Sequence, residues 1–137
     1  MCKRLTALLA ILFLAQHSNA EQRTIACKTP AIAALCFTTH GRLRYGNGSP
    51  SLRLWQIGTH HEFGIYSNLA GLQCDLTGQC QDDDSPHLPA NLETAFNVPN
   101  PYDPVIYADF EVCPLERHIE RHMQAACIQS AKHIIVK

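Results

Sequence analysis

The chain has 137 residues, with 11 basic against 12 acidic side chains and a formal net charge of −1 with histidine neutral. A balance this close to neutral lacks the basic field on which non-specific nucleic-acid binding depends, so DNA and RNA are not expected partners. The length suits one domain behind a leader and excludes two well-packed ones.

Lys3 and Arg4 precede an apolar run, Leu5–Ala15, and Ser18 and Ala20 place small residues at −3 and −1 of a cleavage point. Basic start, short apolar core and small-residue exit together predict a secretory signal peptide over residues 1–20, cleaved after Ala20. The run is too short for a membrane span, which needs about 20 apolar residues. A lipoprotein leader is disfavoured because no small-residue pair precedes a cysteine at the cleavage point. Residues 21–137 are then a single domain with nine basic and twelve acidic side chains, a net charge of −3. No later segment is apolar enough to suggest a membrane span.

Cys2 leaves with the leader, and six cysteines remain: Cys27, Cys36, Cys74, Cys80, Cys113 and Cys127. An even number in an exported domain predicts three disulfides. The short loops between sequence neighbours favour Cys27–Cys36, Cys74–Cys80 and Cys113–Cys127, each worth about 2–3 kcal/mol. No C-x-x-C pair is present to suggest redox or zinc-thiolate chemistry.

In chain order, Leu35–Tyr45 alternates apolar and polar residues and predicts a half-buried strand. Leu35, Phe37, Leu43 and Tyr45 point one way, and His40, Arg42 and Arg44 the other. Gly46–Pro50 is a turn by composition. Leu52–Ile57 predicts a second strand, completing a hairpin, and His61–Tyr66 a third. The stretch from 67 to 103 is broken by prolines and by Asp82–Asp84, with room for one short helix over Asn91–Phe96. Val105–Cys113 alternates again and is ended by Pro114. Leu115, Ile119 and Met123 recur at helical spacing, which predicts a helix over Leu115–Ala126. Cys127–Lys137, rich in Ile and Val, predicts a final strand or strand pair. The expected fold is mainly β: a disulfide-stapled, five- or six-stranded antiparallel barrel of the oligonucleotide/oligosaccharide-binding (OB) kind, or a sandwich, with one or two short helices.

Seven histidines among residues 21–137 are the first place to look for chemistry. On a helix, His118 and His122 would share one face and could grip one metal ion, with His60, His61 and Glu62 as further candidates. A divalent ion wants about four ligands, and no local segment supplies them. The H-E-x-x-H signature is absent, and a solvated face of Arg, His and Glu is the preferred reading. No cofactor is expected. The Asp82–Asp84 run lacks the glycine and later glutamate of an EF-hand loop and reads as a solvated acidic loop. G-x-S-x-G is absent, and six paired cysteines leave no thiolate nucleophile.

The alternation instead points to a binding surface. Arg42 and Arg44 share one face of the first predicted strand, and Arg53, Trp55 and Ile57 share one face of the second. Arginine with tryptophan on an open sheet face suits a carbohydrate or a protein. The competing assignment puts Trp55 in the core and leaves the arginines as a solvated face.

The run Cys36–Leu43, the turn Asn47–Pro50 leading into Leu52–Trp55, Gly58–His60, Asp109–Leu115 and Cys127–Lys132 resemble segments of a family of small exported bacterial proteins. The resemblance covers about half of residues 21–137. It implies an exported bacterial domain and no particular chemistry. The expectation is a non-catalytic periplasmic or secreted domain that binds a protein or glycan at the cell envelope. The alternative is a metal-binding protein or metal-dependent hydrolase using His118 and His122.

Overall fold

A computed structural model describes residues 26–82 and 85–137. The expected leader, residues 1–20, lies outside the described residues, as do Asp83 and Asp84. Five strands, β1 (Phe37–Tyr45), β2 (Leu52–Gln56), β3 (Glu62–Ile65), β4 (Ile106–Pro114) and β5 (Gln124–Val136), close into a barrel in the order β1-β2-β3-β5-β4. One helix, α1 (Ala90–Phe96), lies between β3 and β4. The result is the OB-type Greek-key barrel and not the sandwich. One departure from a fully antiparallel barrel is the β3–β5 pair, which runs parallel from Phe63↔Gln124 to Ile65↔Ala126.

Alternation builds the core. Leu43, Leu54, Phe63, Ile65, Ile106, Ala108, Phe110, Val112, Ala126 and Ile128 point into the barrel and are fully buried. Leu92 and Phe96, one turn apart on α1, join them with Leu88 and cover the barrel end. A five-stranded barrel leaves only enough interior for side chains. Gly41 shows how tight this one is: a Cβ there would stand 2.5 Å from Leu54 and 3.2 Å from Phe110.

A second cluster lies on the outer side of β4 and β5. Val112 faces the barrel interior, whereas its neighbour Cys113 faces outward among Cys27, Tyr66, Leu115, Ala125 and Cys127. The segment from Ala26, including a 3-10 turn at Ala33–Leu35, covers this cluster. It is fastened by Cys27–Cys127 and Cys36–Cys113, while Cys74–Cys80 closes a small loop. Three disulfides are thus present, but two of the expected pairs are wrong. Strand register explains the correction: Phe37 pairs with Val112, so Cys36 falls beside Cys113 once the ladder forms. Loop entropy favours neighbours in sequence only until strand pairing has already closed the long loop.

The expected helix over Leu115–Ala126 does not form. Residues 115–123 are an irregular β4–β5 loop with Arg121 at φ 64°, and Gln124–Ala126 belong to β5. Parallel pairing with β3 captures the end of the helical pattern, so long-range ladder bonds override local periodicity.

Candidate functional site

The barrel exterior carries side chains in rungs set by register. Arg42 lies opposite Trp55 across β1–β2 and opposite Tyr107 across β1–β4, and Arg44 lies opposite Arg53. All four binding candidates, Arg42, Arg44, Arg53 and Trp55, therefore share one outer face. Trp55 is half-buried on that face and does not belong to the core. The Arg42 guanidinium sits 4.8 Å from the centre of the Trp55 ring, within cation–π range. The indole N–H donates to the Thr59 carbonyl at 2.8 Å, which fixes the ring beneath the Arg42 guanidinium.

Arg53 is anchored from the turn between β1 and β2, donating through Nε to the Pro50 carbonyl and through Nη2 to the Asn47 carbonyl at 2.9 Å. Pro50 reaches its place because residue 64 is glycine: a Cβ there would stand 2.5 Å from the proline ring and 3.4 Å from Met123. Gly64 thus lets the β1–β2 and β4–β5 loops meet over β3. Two further side chains extend the face. Lys137 lies 5.3 Å from the centre of the Tyr107 ring. Neither was singled out from sequence, since only pairing places them beside Arg42. Among the described residues, none of Arg42, Arg44, Arg53 and Lys137 forms a salt bridge with a carboxylate.

One rung away, Asp109 binds two histidines. Its Oδ1 meets His40 Nδ1 at 2.9 Å and its Oδ2 meets His133 Nδ1 at 2.7 Å. His133 reaches it through a bulge, where Tyr107/Asp109 on β4 span Ile135/Lys132 on β5 and His133 takes φ 55°. Bulges re-aim side chains in this way. The hydrogen bonds from His133 and then His40 hold the Asp109 carboxyl below its ordinary value.

The metal candidates gather elsewhere. His60, His61, Glu62, His118, Glu120 and His122 line a cavity of about 540 Å³ between the β2–β3 and β4–β5 loops. His118 and His122 come together here through an irregular loop, not through a helix face. The His61 ring lies 4.4 Å from that of His118 and 4.2 Å from Phe63. Burial first, then the His118 charge, hold His61 below the ordinary imidazole value, partly offset by Gln124. Among the described residues, the one set of three ligand atoms close enough for a metal is Cys27, Cys113 and Cys127, and disulfides already consume those sulfurs.

No family model, curated protein or solved structure matches the chain.

Proposed function

We propose that this is a non-catalytic exported domain, periplasmic or secreted, that binds an acidic glycan of the cell envelope on the face centred on Arg42 and Trp55. The observation that carries the reading is the gathering of four cations without carboxylate partners among the described residues, in a chain whose net charge is negative. An anionic ligand supplies the missing partners, and an aromatic ring beside them suits the apolar face of a sugar. A glycan is favoured over an extended peptide because Arg42 is paired with both Trp55 and Tyr107, and Trp55 with both Arg42 and Glu62, which leaves no free strand edge at the centre of this face.

Trp55 is the single tryptophan, so its fluorescence reads the face directly. Oligosaccharides carrying carboxylate or phosphate should shift its emission saturably, neutral ones should not, and added salt should weaken the response. Arg42→Ala should lower affinity about tenfold, as expected for loss of a hydrogen bond to a charged group. A folded chain that ignores acidic glycans, or binds neutral ones equally, overturns the reading. A response to acidic peptides alone replaces the glycan with a protein.

The second reading, a metal-binding protein or metal-dependent hydrolase, is supported by the His61–His118 contact in a cavity also lined by His122. Metal analysis of protein purified without chelator separates the two. Stoichiometric zinc or copper lost in His118→Ala/His122→Ala supports the metal site, and metal-free folded protein retires it.

A further inference from the structure

A further cavity lies away from both regions just described. It encloses about 760 Å³ where the end of β1 meets α1 and the segments on either side of the helix, with Tyr45, Leu88, Glu93, Phe96, Asn97 and Tyr102 among its lining residues. That volume falls within the range of small-molecule sites, roughly 300–1,000 Å³. Three rings converge on it: Tyr45 and Phe96 pack edge to face at 4.9 Å, and Tyr45 and Tyr102 at 5.8 Å. Tyr102 remains 57% exposed, so its ring is open to a ligand.

Among the described residues, Glu93 is the one charged residue in the lining. Its Oε1 accepts a hydrogen bond from the Leu88 backbone N–H at 3.2 Å, which holds the carboxylate at the cavity wall. Burial pushes the Tyr45 hydroxyl above its ordinary value, and Tyr102 and then Glu93 add to the rise, which places the carboxylate's field among the rings. Among the described residues, no lining residue is basic.

We infer that this cleft is a site for a small organic cation, a quaternary or protonated amine with an apolar body. Aromatic faces carry negative quadrupole charge and attract ammonium groups. Glu93 adds a full negative charge. A bare metal ion is a poor occupant, because a single carboxylate offers far fewer oxygens than the six to eight that calcium takes, as a rough guide. An anion meets only like charge, and a neutral apolar ligand would strip water from Glu93 without pairing it. The inference is independent of the glycan reading, since it uses other residues and the opposite charge.

The test is calorimetric titration of the folded, disulfide-intact chain with choline and tetramethylammonium, alongside 3,3-dimethylbutan-1-ol as the uncharged isostere of choline. Both cations should bind, with the neutral analogue weaker by about fivefold or more. Glu93→Gln should lower cation affinity about fivefold while leaving the neutral compound unchanged. Tyr102→Leu keeps apolar area but removes the ring face, and it too should weaken the cations selectively. Equal binding of choline and its isostere overturns the inference and makes the cleft merely apolar. Failure of both cations to bind the folded chain overturns it as well.

Discussion

The two long disulfides set how much of the fold's stability is covalent, and their contributions can be worked from loop length. Cys27–Cys127 spans a separation of 100 residues and Cys36–Cys113 one of 77. On the chain-entropy model either bridge alone would stabilise by about 4.5–4.7 kcal/mol. The two are nested, however. With one in place, the other closes only the path through 27–36 and 113–127, about 23 residues, worth about 3.4 kcal/mol. Cys74–Cys80 closes a separation of 6 and contributes about 2 kcal/mol.

Removing one long bridge should therefore cost about 3 kcal/mol, and removing both about 8 kcal/mol. The second figure consumes most of a typical margin of about 5–15 kcal/mol. Paired Cys→Ala changes avoid burying new hydroxyls in the sulfur-rich cluster. Urea unfolding followed by Trp55 fluorescence should show each long-bridge variant losing about 1–3 M in midpoint. The Cys74→Ala/Cys80→Ala variant should lose less, and the fourfold variant should be largely unfolded. Two results refute the reasoning: long-bridge variants no less stable than the short-bridge variant, or a non-reducing peptide map that joins Cys27 to Cys36 and Cys113 to Cys127.

Three more outcomes are expected. The Cys27, Cys113 and Cys127 sulfurs lie within 4.8 Å of one another. In Cys36→Ala alone, the freed Cys113 thiolate should attack Cys127 Sγ, forming Cys113–Cys127 and releasing Cys27 as a thiol, which non-reducing mass spectrometry detects. Asp109 is hydrogen-bonded by His133 and His40, so its carboxyl should titrate below the ordinary aspartate range in carbon-detected NMR. A carboxyl depressed in the folded state adds stability above the unfolded value, lost as pH falls through the folded one, so the contribution is intact at neutral pH. His133→Ala should move the Asp109 midpoint back up. Gly64→Ala should cost about 1–3 kcal/mol by driving Cβ into Pro50, and should also loosen Arg53 through its carbonyl anchors, readable as a lower thermal midpoint.

Much of the barrel was legible because period-two alternation is a local signal. Leu43 inside with Arg42 and Arg44 outside follows from three adjacent residues, and the short helix expected over Asn91–Phe96 is α1. What failed depended on distance. Leu115, Ile119 and Met123 carry a helical spacing, yet Ile119 is 61% exposed and Met123 packs over Gly64. The ladder that claimed Gln124–Ala126 belongs to β3, some 60 residues earlier. Register likewise decided the cystines. It also placed Tyr107 beside Arg42, and a bulge with no glycine to announce it turned His133 toward Asp109.

A closed five-stranded barrel has no interior to offer a ligand, so recognition must use its outside and its rims. The same alternation that fills the core sends every second side chain outward, and register stacks those side chains into rungs. On β2, β1 and β4 the rungs collect Arg53, Trp55, Arg44, Arg42 and Tyr107. At the rim, α1 has to seal the barrel with Leu92 and Phe96, and the turn that seals it also carries Glu93 on its outer side next to Tyr45. The cationic face and the anionic cleft are thus both consequences of core packing: Arg42, Arg44, Arg53 and Glu93 each lie one position from a buried leucine that the barrel cannot lose. A charge reversal at Arg42 or Glu93 can alter binding while Leu43 and Leu92 keep the fold.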